Sequence, residues 1–200
     1  MGKQYDSIKT TSLPLGVEIA HPPTLPELIH IDDSVFSVFV DFQVQRSVTI
    51  YAKQSIDEAQ LEMKANNVHL LLVVDANKHV IGMISSQALH GERPYQIIQE
   101  GRVKHSEIHV ATIMLPIEQV LCLDYDALKT AKIGNLVETF KKHQRHYALV
   151  IKTDTQGKHR IQGYFSASRI SRTLSLSNTA GNAVGASTIQ ELQAMLREFE

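Results

Sequence analysis

Cysteine is almost absent from this chain: Cys122 is the one thiol in 200 residues. A lone thiol closes no internal disulfide, so the expected home is a reducing, cytoplasmic compartment. A dominant charge is missing as well. Twenty Lys and Arg against 21 Asp and Glu leave a net charge of −1, and no whole-chain field draws in nucleic acid. Apolar runs such as Leu70–Val74 are strand-length and too short to cross a bilayer. No apolar stretch follows the opening Met1-Gly2-Lys3-Gln4-Tyr5-Asp6, and the sixth position carries neither Ser nor Thr, so neither export nor myristoylation is expected. Neither a Gly-x-Ser-x-Gly elbow nor a phosphate-binding Gly-rich loop occurs. Cys122, inside Val120-Leu121-Cys122-Leu123, reads as a small core hydrophobe. No nucleophile–base pair is left, and the chain is not expected to be an enzyme. What it does have is 43% hydrophobic residues, enough for a proper core in one or two small domains.

That hydrophobic content is written twice. Asn66-Asn67-Val68-His69-Leu70-Leu71-Leu72-Val73-Val74 recurs as His143-Gln144-Arg145-His146-Tyr147-Ala148-Leu149-Val150-Ile151. Each copy runs through a charged turn into Gly-x-x-Ser, first Gly82 to Ser85 and then Gly163 to Ser166. The two copies keep one offset apart from a short insertion in the second turn. Such a repeat predicts a two-lobed, pseudo-symmetric fold whose function sits at the seam.

Local signals give each copy the order strand–helix–strand–strand–helix. Val48 to Tyr51 is β-branched and strand-like. Ser55-Ile56-Asp57-Glu58 has the form of a capping box opening an amphipathic helix with Ile56, Ala59 and Met63. Leu70–Val74 and Val80–Ile84 are strands joined by Asp75-Ala76-Asn77-Lys78, and a helix begins at Ser85 and halts near Gly91 and Pro94. The second copy runs over 120–123, 134–142, 147–152, 160–165 and 167–174. Pro14, Pro22, Pro23 and Pro26 forbid regular helix, so residues 1–34 read as an N-terminal arm, extended through residue 31. The cap at Asp32-Asp33-Ser34 predicts a helix carrying Val35, Val38, Phe39 and Phe42. The organisation is then a first repeat at 35–92, a connector helix at 93–109, a second repeat at 110–174, a flexible linker at 175–187 and a C-terminal helix at 188–200. That last helix opens on a capping box, Thr188 to Glu191, and carries Ile189, Leu192, Leu196 and Phe199. It is too short to stand alone and should dock on its own body or on a partner chain.

With these residues in place, the chain resembles a tandem pair of CBS domains, the module named for cystathionine β-synthase, of the stand-alone bacterial type. The carriers are Ser55 to Ala59, Leu72 to Asp75 and Val80 to Ser85. The second copy supplies Ala148 to Val150 and Ile161 to Ser166. Val110-Ala111-Thr112-Ile113-Met114-Leu115-Pro116 looks like the lead-in V-x-D-I-M-T-P that such modules often place before a repeat. The resemblance spans roughly residues 35–174. It implies an α/β fold in which two β-α-β-β-α repeats pack pseudo-symmetrically and open two clefts. It also implies a homodimer, and a regulatory role toward a separate protein partner. In many members the clefts take adenosine-containing ligands such as AMP, ADP, ATP or S-adenosylmethionine. No covalent cofactor, nucleic acid or membrane is expected.

The family's ligand signature is Gly-h-h-Thr/Ser-x-x-Asp, whose carboxylate accepts from both ribose hydroxyls because it is ionised and acceptor-only. Here Gly82, Ser85, Gly163 and Ser166 are kept, while Ala88 and Arg169 stand at the Asp positions. Neither side chain accepts from ribose. Arg169 would instead hold a phosphate bidentately, helped by the basic run Lys141, Lys142, Arg145, Lys152, Lys158, Arg160, Arg169 and Arg172, which faces one acid, Asp154. The bland reading of that run is a solvated face. The candidate ligand residues are Ser85, Ser166, Arg169, His69, His146, Gly82 and Gly163. Against ligand contact, the serines read as helix N-caps and the histidines as half-exposed strand starts. No metal site is expected, since neither His105 with His109 nor His143 with His146 is completed by Cys or carboxylate at ligand spacing. Two functions follow: a sensor of a phosphorylated or adenosine-type small molecule that controls a partner, or a dimeric scaffold whose clefts bind no nucleotide.

Overall fold

The computed structural model describes residues 29–101, 103–179 and 186–197; most of the expected arm and the middle of the expected linker lie outside them. In chain order the strands are β1 (Val40–Asp41), β2 (Thr49–Tyr51), β3 (Leu70–Val74), β4 (Val80–Ser85), β5 (Leu115–Pro116), β6 (Cys122–Asp124), β7 (Tyr147–Thr153) and β8 (His159–Ser166). The α-helices are α1 (Ile56–Asn66), α2 (Ser86–His90), α3 (Glu92–Gly101), α4 (Val110–Ile113), α5 (Ile133–His143), α6 (Ala167–Thr179) and α7 (Ala186–Arg197). The class is α/β, with two four-stranded sheets ordered β2-β3-β4-β5 and β1-β8-β7-β6.

The duplication holds down to single bonds. In each lobe a parallel pair, β2 with β3 or β6 with β7, adjoins an antiparallel pair, β3 with β4 or β7 with β8. Both antiparallel ladders slip register at the same place, between Val73 and Val74 and between Val150 and Ile151. The first-lobe helix α1 starts on the expected capping box: Glu58 N donates to Ser55 Oγ at 3.2 Å and Ser55 N to the Glu58 carboxylate at 2.7 Å. Helices α1 and α5 both end on a left-handed residue, Asn67 at φ 51° and Gln144 at φ 49°. That conformation frees the chain to turn straight into β3 or β7.

The fourth strand of each sheet is exchanged. β1 opens the first repeat in sequence yet pairs with β8 of the second lobe, while β5, at the start of the second repeat, pairs with β4 of the first. Gly82 and Gly163 make this approach geometrically feasible. A Cβ on Gly82 would sit 2.6 Å from the Leu115 carbonyl oxygen; one on Gly163 would strike the Val40 carbonyl and come within 2.7 Å of the Phe39 ring. Three apolar clusters result. One fills each lobe between sheet and helices. The third joins Leu70, Leu72 and Met83 of the first lobe to Val120 and Leu149 of the second, and seals the seam.

Some local expectations give way to tertiary structure. The cap at Ser34 is real, with Phe36 N donating to its Oγ at 3.4 Å, but it opens only a 3-10 turn, Val35–Val38. Strand pairing with β8 then draws Val40 and Asp41 out of any helix. The helix capped by Ser85 does halt at Gly91, as expected, but Pro94 stops nothing. It sits in the first turn of α3, where its missing N–H costs nothing. Helix α6 continues to Thr179, into the stretch read as linker, and α7 starts at Ala186, so Thr188 lies inside its first turn rather than at its cap. Cys122 is exposed on the edge strand β6 rather than in the core, and partial desolvation pushes its thiol up. The C-terminal helix packs on its own chain: Leu192 is 0% exposed, and α7 lies against α5 and α6.

Candidate functional site

Between the lobes lies a cleft of about 520 Å³ whose walls come from both repeats. One wall is the first-lobe signature, where β4 passes into α2 and brings Met83, Ser85, Gln87 and Ala88 to the surface of the cleft. The base is the lead-in Ala111 to Pro116, apolar at Ile113, Met114 and Leu115. The opposite wall is the α5–β7 turn, Gln144 to Tyr147, held by the left-handed Gln144.

The polar groups converge on this space. Ser85 Oγ accepts from Ala88 N at 3.3 Å, so the N-cap reading is correct, and its O–H is left to donate toward the cleft. Ser85 thus both caps α2 and lines the cleft. His146 Nδ1 lies 2.7 Å from Gln87 Oε1; the amide oxygen accepts, which puts the proton on Nδ1 and ties the two walls together. Tyr147 is a neutral phenol, its pKa pushed up to about 12 first by burial and then by neighbouring Tyr164. Two guanidinium groups, Arg93 and Arg145, also line the cleft, and among the described residues no carboxylate lies within 4.0 Å of either. Among the described residues Glu92 is the one acid in the lining. Unpaired guanidinium over an apolar base suits a ligand with a phosphate at one end and a flat or apolar body at the other.

The predicted site residues part company here. Ser85 and His146 share the cleft, with Gly82 behind it holding β5 against β4. Ser166 is buried and caps α6, with Arg169 N 3.4 Å from its Oγ. Arg169 is exposed and outside the cleft lining; it lies near Tyr164 in the second lobe, where Phe39 packs on Phe165 and Phe42 on Tyr164. His69 is exposed on a separate groove between α1 and α2. Sequence reasoning passed over Arg93, Gln87 and Tyr147, and treated Arg145 only as part of a basic run. Arg145 carried a usable signal: it directly precedes the repeated His, where the first copy has Val68. His105 and His109 share no helix. His105 instead pairs with Asp57 at 2.6 Å, and among the described residues no His, Cys, Asp and Glu group could hold a metal.

A family model for the CBS domain matches residues 40–91. No curated protein matches the chain. Among solved structures, a conserved CBS-domain protein of unknown function from Thermoplasma acidophilum superposes with TM-score 0.52 at 15% identity, over 80% of this chain and 77% of that one. A Methanocaldococcus jannaschii protein, described as a candidate archaeal homologue of γ-AMPK, gives 0.50 at 22%, over 71% and 50%. CBSX2, solved in complex with AMP, gives 0.47 at 17%, over 72% and 98%. At these identities the likeness concerns the fold. No described helix is long and apolar enough to cross a membrane. With the family match over residues 40–91 and the same strand and helix order in both lobes, the first repeat carries a CBS domain and the chain has the α/β fold of a CBS pair.

Proposed function

We propose that the chain is a regulatory module rather than a catalyst, and that the cleft between its lobes binds a phosphorylated, adenosine-type small molecule whose occupancy is passed to a separate partner. The observation that carries this is the pair Arg93 and Arg145, without carboxylate partners among the described residues, at the mouth of a cleft built from both repeats. A phosphate there gains charge-assisted hydrogen bonds from both guanidiniums and a third donor from Ser85. The apolar base beneath takes the flat body. Ala88, facing the cleft where the family has Asp, offers no acceptor to ribose, so phosphate rather than sugar dominates recognition.

Signalling follows from the same geometry. The ligand touches both lobes, and so does the Gln87–His146 hydrogen bond. A ligand that binds one lobe arrangement better than another shifts the population by that difference in affinity. A thermal-shift panel of AMP, ADP, ATP and S-adenosylmethionine tests the proposal. At 100 times its dissociation constant a true ligand adds about 2.7 kcal/mol of stability, an easily read shift. Ala88 also favours the second reading, a scaffold with clefts that bind no nucleotide, and a flat response across the panel would select it.

A further inference from the structure

The two lobes match element by element, and one groove breaks the match. In the second lobe the groove between α5 and α6 is filled by α7. Leu192 is fully buried in a cluster with Phe140, Ile170 and Leu174, the Glu191 carboxylate accepts from Lys141, and Gln193 donates to Ser175 at 3.0 Å. In the first lobe the corresponding groove between α1 and α2 is open, with a volume of about 490 Å³. The repeat places Met63 and Leu89 where Phe140 and Ile170 stand, and Lys64 where Lys141 stands. Among the described residues the lining carries Lys64, His69 and His90 and no carboxylate. Gln60 Nε2 lies 3.0 Å from His90 Nε2 and ties α2 to α1, which fixes the groove's width. Leu61, one turn before Lys64, is 66% exposed, whereas its counterpart Glu138 is turned to Lys141.

We propose that this groove is the docking site for an acidic amphipathic helix of a partner protein, with the pattern α7 itself displays: a Glu directly before a Leu, and a second aliphatic residue four positions on. Leu192 and Leu196 define that spacing, and both pack into the second-lobe cluster. The chain's own α7 is already committed there, so the occupant comes from another molecule. Charge decides its sign. A helix with a basic residue at the Glu position would set like charges against Lys64, with no acid among the described lining residues to relieve them. The docking face is separate from the inter-lobe cleft and goes beyond the proposal for that cleft.

The test uses the full chain and a labelled peptide of residues 186–200, read by fluorescence anisotropy. Saturable one-to-one binding is expected. Lys64→Glu should weaken it at least ten-fold, and the peptide carrying Glu191→Lys should regain affinity for that variant, while Lys141→Glu leaves binding unchanged. Lys64 is exposed, so its exchange leaves the fold intact, as an unchanged melting temperature should show. Absence of saturable binding overturns the proposal. So does binding that follows Lys141 instead of Lys64, which would mean the peptide merely trades places with α7. Dimers in sedimentation that Lys64→Glu dissociates and the peptide fails to compete away would give the groove to a second copy, and also overturn it.

Discussion

Glycine and serine in the repeated Gly-x-x-Ser phrase answer to different physics. Gly163 is demanded by packing, because any Cβ there meets the Val40 carbonyl and the Phe39 ring. Backbone yields less readily than a side-chain tip, so Gly163→Ala should cost stability near the top of the roughly 1–3 kcal/mol typical of overpacking, measured by chemical denaturation. Ser85 and Ser166 both cap helices, but only Ser85 borders the cleft. Residue identity made the glycines and caps legible from the sequence. The guanidiniums were not, because Arg93 and Arg145 reach the cleft from different lobes, and only the fold sets them across from one another.

Among the elements, α1 and α5 show how far local rules carry. α1 was legible from its apolar spacing and its capping box, and α5 from its place in the second copy of the repeat. Hydrogen bonds from the Gln54 side chain, then from Ser55, hold the Glu58 carboxyl below its ordinary range. A depressed acid stabilises the fold above its unfolded pKa and loses that contribution as pH falls through the folded one. Acid melting of the parent should therefore show a component that Glu58→Gln removes. Gln144 is less at ease, since a left-handed residue with a Cβ costs about 1 kcal/mol. Gln144→Gly should recover most of that in a denaturant titration. The C-terminal helix depends on Leu192, and Leu192→Ala should destabilise by about 2–5 kcal/mol. What local rules could not show is the end of the Ser34 helix after one turn or the exposure of Cys122. Both are consequences of sheet edges, where partner strands from distant sequence decide the outcome.

At the scale of the whole molecule, the duplicated phrase announced two lobes and a seam, but nothing in it announced the exchange of β1 and β5. Because each sheet takes its fourth strand from the start of the other repeat, neither lobe completes its sheet alone. Unfolding should accordingly be one cooperative transition, with fluorescence of Tyr147 and Tyr164 at the seam and far-ultraviolet circular dichroism tracing the same curve. Two separated transitions would mean the exchanged strands contribute little. The exchange also brings the Ala111–Pro116 lead-in beneath the cleft, joining the two walls across its base. On this proposal the inter-lobe cleft, and not the second-lobe signature at Arg169, receives a phosphate-bearing ligand. Calorimetric titration of AMP into the parent, Arg145→Ala and Arg169→Ala chains tests it most directly. Saturable binding to the parent should weaken by about 1.5–3 kcal/mol in Arg145→Ala, the scale of a hydrogen bond to a charged group, and stay unchanged in Arg169→Ala. Loss with Arg169→Ala and none with Arg145→Ala would contradict it.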